Sequence, residues 1–594
     1  MFKCFLSILL AGALLPTGGV FAQNIIPGSE TRRPAKRQPI KKAVPTKFST
    51  PRLIVTLVVD QFPARVFEKV ENRVPEFAPF LKSAAVFENA RYGHAATYTG
   101  PGHTVIATGR YAESHGITAN KWFNRAKSRS EAILYDATAQ VFENPEPTIE
   151  DETSGRNLIG DTVGDLWLMK HPESRVVSVA LKERAAIAMA GHKGMAYWFN
   201  EGNGRFTSSR AYATALPEWV NGFNAGKPAD RFYGATWNEP TVPGLFDGCQ
   251  PDDFKFETDL KILGRTFPHT LKDPITDAPG KDYYEALTMT PSGIDLTFEF
   301  VRQAVEKEQL GRRTDAKGKP ITDFLYVSIT PTDLVGHAYG ADSHESVAIT
   351  FAALTKIGEF VKWLDGNFKT AETTVVLTGD HGSASLPEWL AANGEKAFRI
   401  KKKTVKEAIE KRLTEKFGKP AGGKWVTALE DPSIFFDETS VKAALAAVGP
   451  EGRLRLEREA GEACKEIPGV GFYVTRTRLL ALREGTSGKP TPEEAMTLRS
   501  FHPDRSGDLL IFMAPGSIWG KYAEKDAGTT HGSPNDYDRH VPLLIRSPRY
   551  AAGPHPETVD MASVGPTVGQ MVGIYPRDAA AQPIPGYKPK GKSR

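Results

Sequence analysis

The chain has 594 residues, 40% hydrophobic and 24% charged, with three cysteines; this composition excludes a disordered or fibrous protein and a small disulfide scaffold. Its net charge of +5 sits at the ends: residues 1–52 carry nine bases against one acid and residues 583–594 four bases, leaving the body between them at −7. A nucleic-acid binder carries positive charge on the folded body, so no nucleic-acid partner is expected.

In chain order, Lys3 precedes an apolar stretch that reaches Val20-Phe21-Ala22. That is the order of a secretory signal peptide, residues 1–22, cleaved after Ala22. The apolar run is too short to span a bilayer, so no transmembrane anchor is expected. Cleavage removes Cys4 and leaves Cys249 and Cys464, which are open to one disulfide or to two free thiols. Residues 23–52 form a Pro-rich basic leader without apolar periodicity, read as a solvated linker.

The body, 53–582, is expected to be one catalytic domain. Its first element, Leu53 to Val59, is a near-continuous apolar run ending at Asp60, the pattern of a strand covered on both faces. Runs 176–181, 324–329 and 374–377 share this character, a helical pattern covers 343–364, and 509–513 and 541–545 are further strand candidates. Strands alternating with helices predict an α/β fold: a mostly parallel central sheet flanked by helices. Two interruptions, about 193–290 and 390–505, are too long for loops and are expected to be cap insertions over the carboxyl edge of the sheet. The second contains helical patterns at 405–417 and 441–467 and a strand-like 471–474. Residues 583–594 are a basic tail.

In a parallel sheet, ligands bind beyond the carboxyl ends of the strands. There the sequence places Asp60, then Asp333 and His337 four residues apart on one helical face, then Asp380-His381-Gly382; His531 stands among small residues before the 541–545 run. Singly, each reads as a cap or turn residue. Together they offer carboxylate and imidazole ligands with no thiolate, a donor set suited to two Zn²⁺. The segment Thr99-Gly100-Pro101-Gly102-His103 supplies a hydroxyl at the positive end of a helix, with glycines that admit an oxyanion to the backbone N–H groups. On local sequence alone Thr99 as a simple helix cap is the stronger reading. His103 is the one further histidine kept as a candidate.

The ordered set Asp60, Thr99-Gly-Pro-Gly-His103, Asp333-x-x-x-His337, Asp380-His381-Gly and His531-Gly resembles the alkaline phosphatase superfamily in its type I phosphodiesterase/nucleotide pyrophosphatase branch. Within it, the chain is most similar to secreted bacterial alkaline phosphatases with a threonine nucleophile. Asn120 and the pair Lys182-x-Arg184 match their asparagine and Lys-x-Arg. The resemblance implies one zinc on Asp333, His337 and His531, the other on Asp60, Asp380, His381 and Thr99, and a phosphothreonine formed at Thr99. Asn120, Lys182 and Arg184 would hold the non-bridging oxygens; two cations suit a phosphomonoester dianion better than a diester. Residues two apart in extended chain point the same way, so Lys182 and Arg184 are expected to face the group together; the competing reading is a solvated cap of the next helix. The expected function is a monomeric periplasmic or extracellular alkaline phosphatase acting on small phosphate monoesters. A phosphodiesterase or nucleotide pyrophosphatase, and a non-catalytic metal or phosphate binder, are the alternatives.

Overall fold

The computed structural model describes residues 50–143, 152–449 and 452–586. The expected signal peptide, nearly all of the leader and most of the basic tail lie outside the described residues. The central sheet has nine strands: β1 (Leu53–Val59), β2 (Ala85–Arg91), β3 (Val176–Val179), β4 (Met195–Asn200), β5 (Arg205–Thr207), β6 (Asp323–Ile329), β7 (Thr373–Gly379), β12 (Leu543–Arg546) and β13 (Gly553–Asp560). Their spatial order is β13-β2-β12-β7-β1-β6-β3-β4-β5. β12 and β5 run antiparallel to their neighbours, and the remaining pairings are parallel.

The continuous apolar run of β1 has a packing cause. All seven of its residues are buried. Leu53, Val55, Leu57 and Val59 enter one core with α3 (Pro291–Lys307) and α5 (His344–Asn367), while Ile54 and Val58 enter another with α1 (Thr99–Thr108) and α10 (Val564–Val572). Each fully buried large apolar side chain contributes roughly 1.5–3 kcal/mol, and the strand's one polar residue, Thr56, is buried between Ile54 and Val58. Ser343 caps α5, its side chain accepting from Ser346 N–H. Two shorter helices leave the sheet toward the site: α2 (Glu183–Ala190) after β3 and α4 (Pro331–Tyr339) after β6.

A second, four-stranded sheet is built from β8 (Val426–Glu430), β9 (Ser433–Phe436), β10 (Val470–Thr475) and β11 (Leu509–Met513) in the order β8-β9-β11-β10. It packs with α6 (Lys402–Phe417), α7 (Glu438–Val448) and α8 (Gly452–Lys465) around its own core. The 509–513 candidate therefore belongs here and not to the central sheet. The expected helix 441–467 is two helices, and the expected insertion at 193 begins just before two more central strands, β4 and β5. The second unit reaches the body through Phe501, Leu510 and Phe512, which cluster with Ala95 four residues before Thr99. Ser500 Oγ accepts from the N–H groups of Ala95 and Ala96, both at 3.0 Å. Cys249 and Cys464 are both free thiols.

Candidate metal centre and catalytic residues

Four adjacent parallel strands, β7-β1-β6-β3, deliver their carboxyl ends to one place. Asp60 follows β1, Asp380 and His381 follow β7, α4 carries Asp333 and His337, and Lys182 and Arg184 lie at the start of α2. His531 comes from the loop before β12, where Gly532 has φ +112° and its α-carbon lies so close to Tyr98 that a Cβ would stand 2.4 Å from the ring. That loop is tied by Asp538, which accepts from Gly532 N–H at 3.1 Å and Ser533 N–H at 2.8 Å.

The six expected ligands gather into two groups, Asp333-His337-His531 and Asp60-Asp380-His381, with the donor atoms inside each group within 4.8 Å of one another. His381 and His531 join the groups, their rings stacked at 3.5 Å. All three imidazoles are oriented alike. Nδ1 of His337 lies 2.8 Å from Thr529 O, Nδ1 of His381 2.9 Å from Gly382 O and Nδ1 of His531 2.7 Å from Thr97 O. A carbonyl only accepts, so Nδ1 carries the proton and Nε2 turns a lone pair to the carboxylates, the arrangement of metal-ligating histidines. Burial holds His337 down to about 4 and His381 to about 3. His531 is raised: burial opposes its charge, but the Asp333 carboxylate outweighs it.

The carboxylates report the same need for cations. Asp60 Oδ1 is buried with no hydrogen-bond partner, and Asp380 Oδ2, approached by His103 Nδ1 at 3.2 Å, also faces the Nε2 lone pair of His381 at 3.2 Å. Burial, then Asp333 and Asp380, push Asp60 up to about 7. Lys182 is the cation set directly between carboxylates: its ammonium donates to Asp60 Oδ2 at 2.8 Å and to Asp333 Oδ2. Lone pair against lone pair in a buried site is stable only with cations between them, so these residues fit two metal ions.

Tyr98 holds the cap position of α1 without a side-chain capping bond, and Thr99 is the first residue of the helix, its hydroxyl turned elsewhere. It points at His381, Oγ1 to Nε2 3.4 Å, so the plain-cap reading of Thr99 is not what the fold uses. Asn120 Oδ1 accepts from Gly100 N–H at 2.9 Å, which leaves its NH2 end as an outward donor. Lys182 and Arg184 are not in a strand: Lys182 is extended, φ −89°, but Arg184 lies in the first turn of α2, so the two-residue alternation does not apply. Against burial, Glu183 at 3.6 Å and then Asp60 and Asp333 raise the pKa of Arg184, and its Nε is buried without a partner.

One contributor had no reading in the sequence, and a second had no role. Gln61, at φ 58°, donates its N–H to Asp380 Oδ1 and its Nε2 to Asp333 Oδ1, both at 3.0 Å, bridging the two groups. His103, a candidate without an assigned role, sits behind the site, with Nδ1 2.9 Å from Thr99 O and 3.2 Å from Asp380 Oδ2 and with Nε2 2.9 Å from Ser328 Oγ.

A Cβ on Gly102 would lie 2.3 Å from Asp380 O. Gly102→Ala is therefore expected to cost about 1–3 kcal/mol through overpacking and to lower metal occupancy, read by thermal unfolding and metal analysis. An unchanged melting point with full occupancy would show that α1 shifts freely from Asp380.

The family model for type I phosphodiesterase/nucleotide pyrophosphatase matches residues 54–534. The chain belongs to this family. Its relatives include alkaline phosphatase PhoK of a Sphingomonas species, 30% identical with 89% of each chain covered, and alkaline phosphatase PafA of Elizabethkingia meningoseptica, 29% identical over 90% of this chain and 94% of PafA. A protein of Myroides odoratus named calcium-transporting ATPase is 28% identical over 91% of this chain and 95% of its own. The crystal structure of PafA superimposes with a TM-score of 0.79 at 27% identity, covering 91% of this chain and 99% of PafA, and shares the mostly parallel sheet and flanking helices. A PafA variant of similar likeness, TM-score 0.78 and 28% identity, is altered at one threonine, one asparagine, one lysine and one arginine, spaced 21, 62 and 2 residues apart. Thr99, Asn120, Lys182 and Arg184 have the same spacing. Among the described residues no helix is long and apolar enough to cross a membrane.

Proposed function

We propose that the chain is a secreted, zinc-dependent alkaline phosphatase that hydrolyses phosphate monoesters through a phosphothreonine at Thr99. The observation that carries this reading is the Thr99 hydroxyl standing 3.4 Å from Nε2 of a histidine in one ligand group, with the second group adjoining it through the His381–His531 stack. Asp333, His337 and His531 would hold one ion and Asp60, Asp380 and His381 the other. When bound, such ions supply Lewis acidity that makes the threonine oxygen nucleophilic and stabilises charge on the oxygens in line with phosphorus.

The protein's own groups do the rest. Thr99 Oγ forms the new bond to phosphorus as the ester oxygen departs with its alcohol, and water then cleaves the phosphothreonine to release phosphate. The NH2 of Asn120, the Lys182 ammonium and the Arg184 guanidinium bind the non-bridging oxygens, which is positional and electrostatic catalysis. Gln61 and His103 keep the carboxylates and the Thr99 backbone in register.

Two cations next to the phosphorus favour a dianion. Replacing Lys182 and Arg184 together by Ala is expected to lower kcat/KM on p-nitrophenyl phosphate by on the order of 10³-fold or more, each charged hydrogen bond contributing a few kcal/mol, and to lower it far less on bis(p-nitrophenyl) phosphate. Equal losses would favour the second reading, a phosphodiesterase or nucleotide pyrophosphatase, which the description of the family model supports. The wild-type ratio of rates on these two esters is the direct test. The signal-peptide pattern of residues 1–22 supports export to the periplasm or beyond.

A further inference from the structure

Beside the ligand group on α4 lies a short basic element, α9 (Lys521–Lys525). The Tyr522 ring lies flat on the imidazole of His337, centroids 4.7 Å apart and 11° between planes, and the Lys521 ammonium sits over the same ring at 5.4 Å. The segment is held in place. Arg399 donates to Tyr522 O at 3.2 Å and Gly528 O at 2.7 Å while its fork is fixed on Glu388 at 2.6 and 2.7 Å. Gly528 N–H donates to Phe256 O at 2.8 Å and Thr529 N–H to His337 O at 2.9 Å.

Lys521 is exposed, yet like charges crowd it. Partial burial and then Lys525, Arg184 and Lys121 depress its ammonium, against the pull of Asp333. Grouping cations next to Arg184 is unfavourable on its own and becomes favourable when an anion is shared among them.

Direction decides which anion. Thr99 stands beside His381, so in-line displacement sends the leaving oxygen away from Thr99, toward the side of the site where Asp333, His337 and His531 lie. Lys521 reaches that side through Tyr522, whose ring lies on His337 and beneath the Lys521 ammonium.

We propose that Lys521 forms a subsite for negative charge on the leaving group, so that the preferred substrates are phosphomonoesters whose departing alcohol or phosphate is itself anionic. This rests on the monoesterase reading above. It makes Lys521 a specificity residue that leaves the chemical step to Thr99 and its partners.

The test compares two leaving groups of similar size with the zinc-loaded enzyme, glycerol 3-phosphate and 3-phosphoglycerate, which differ by a carboxylate, with ADP as a phosphate-bearing third. Lys521→Met, which keeps an apolar stem, is expected to lower kcat/KM on 3-phosphoglycerate and ADP by about tenfold, the scale of one close charge pair, against about twofold on glycerol 3-phosphate. Lys521→Glu should widen that gap. Added NaCl should erode the wild-type preference for 3-phosphoglycerate and leave that of Lys521→Met nearly flat. Equal losses on all three substrates, or no loss on any, would overturn the subsite. A wild-type enzyme that hydrolyses none of them would overturn the monoesterase reading and the subsite together, an outcome plainly different from a lost preference.

Discussion

Thr99→Ala is expected to remove turnover of p-nitrophenyl phosphate by on the order of 10⁴-fold or more, the scale seen when a covalent nucleophile is deleted. It should do so with the metal content intact. The hydroxyl makes one long contact, to His381, caps nothing, and sits at a helical position where alanine is the better helix former; the melting temperature should therefore move by no more than about 1 kcal/mol's worth. Thr99→Ser, which keeps the oxygen, should retain much of the rate. Near-normal turnover in the alanine variant would remove Thr99 from the mechanism, and lost metal would make it a ligand whose removal dismantles the site.

Chelation has the second large effect. Taking cations away leaves Asp60, Asp333 and Asp380 fully buried around a single close ammonium, and an uncompensated buried charge costs about 3–5 kcal/mol. Activity on monoesters should fall to background, and the metal-free protein should unfold at clearly lower temperature because ions that bind only the native state stabilise it by mass action. Zn²⁺ should restore both. Full activity in protein shown to be free of metal would dispose of the dinuclear site, and an unchanged melting point would show that Lys182 alone satisfies the carboxylates.

The legible part of this molecule was the part whose physics is one-dimensional. β1, β6 and β7 are covered on both faces, so apolar residues run through the middle of each without a polar-out alternation, and the rule that ligands gather at carboxyl ends then pointed to Asp60, Asp380 and the α4 pair Asp333 and His337. The edge of the sheet was not legible. β2 mixes buried with part-exposed and exposed residues, including Arg91 and Glu88, and β13 carries Pro554 and Pro556 with half of its residues exposed, so neither presents an apolar run. β11 has the apolar signature of a central strand because it is central, but in the smaller sheet. Gln61 was invisible for another reason: its role depends on a left-handed backbone conformation next to Asp60 and on α4 having glycine at 336, where a Cβ would fall 1.7 Å from Gln61 Oε1. His103 stood in a quoted motif, but its partnership with Asp380 exists only in three dimensions.

At Nδ1 all three candidate ligand imidazoles are steadied by main-chain carbonyls and none by a carboxylate or amide side chain. No codon change can directly remove those supports. Laboratory evolution toward another metal or another rate would accordingly find few single-step routes in the immediate surroundings of the histidines, and its productive mutations should accumulate in loop length and in the smaller unit that leans on the threonine segment.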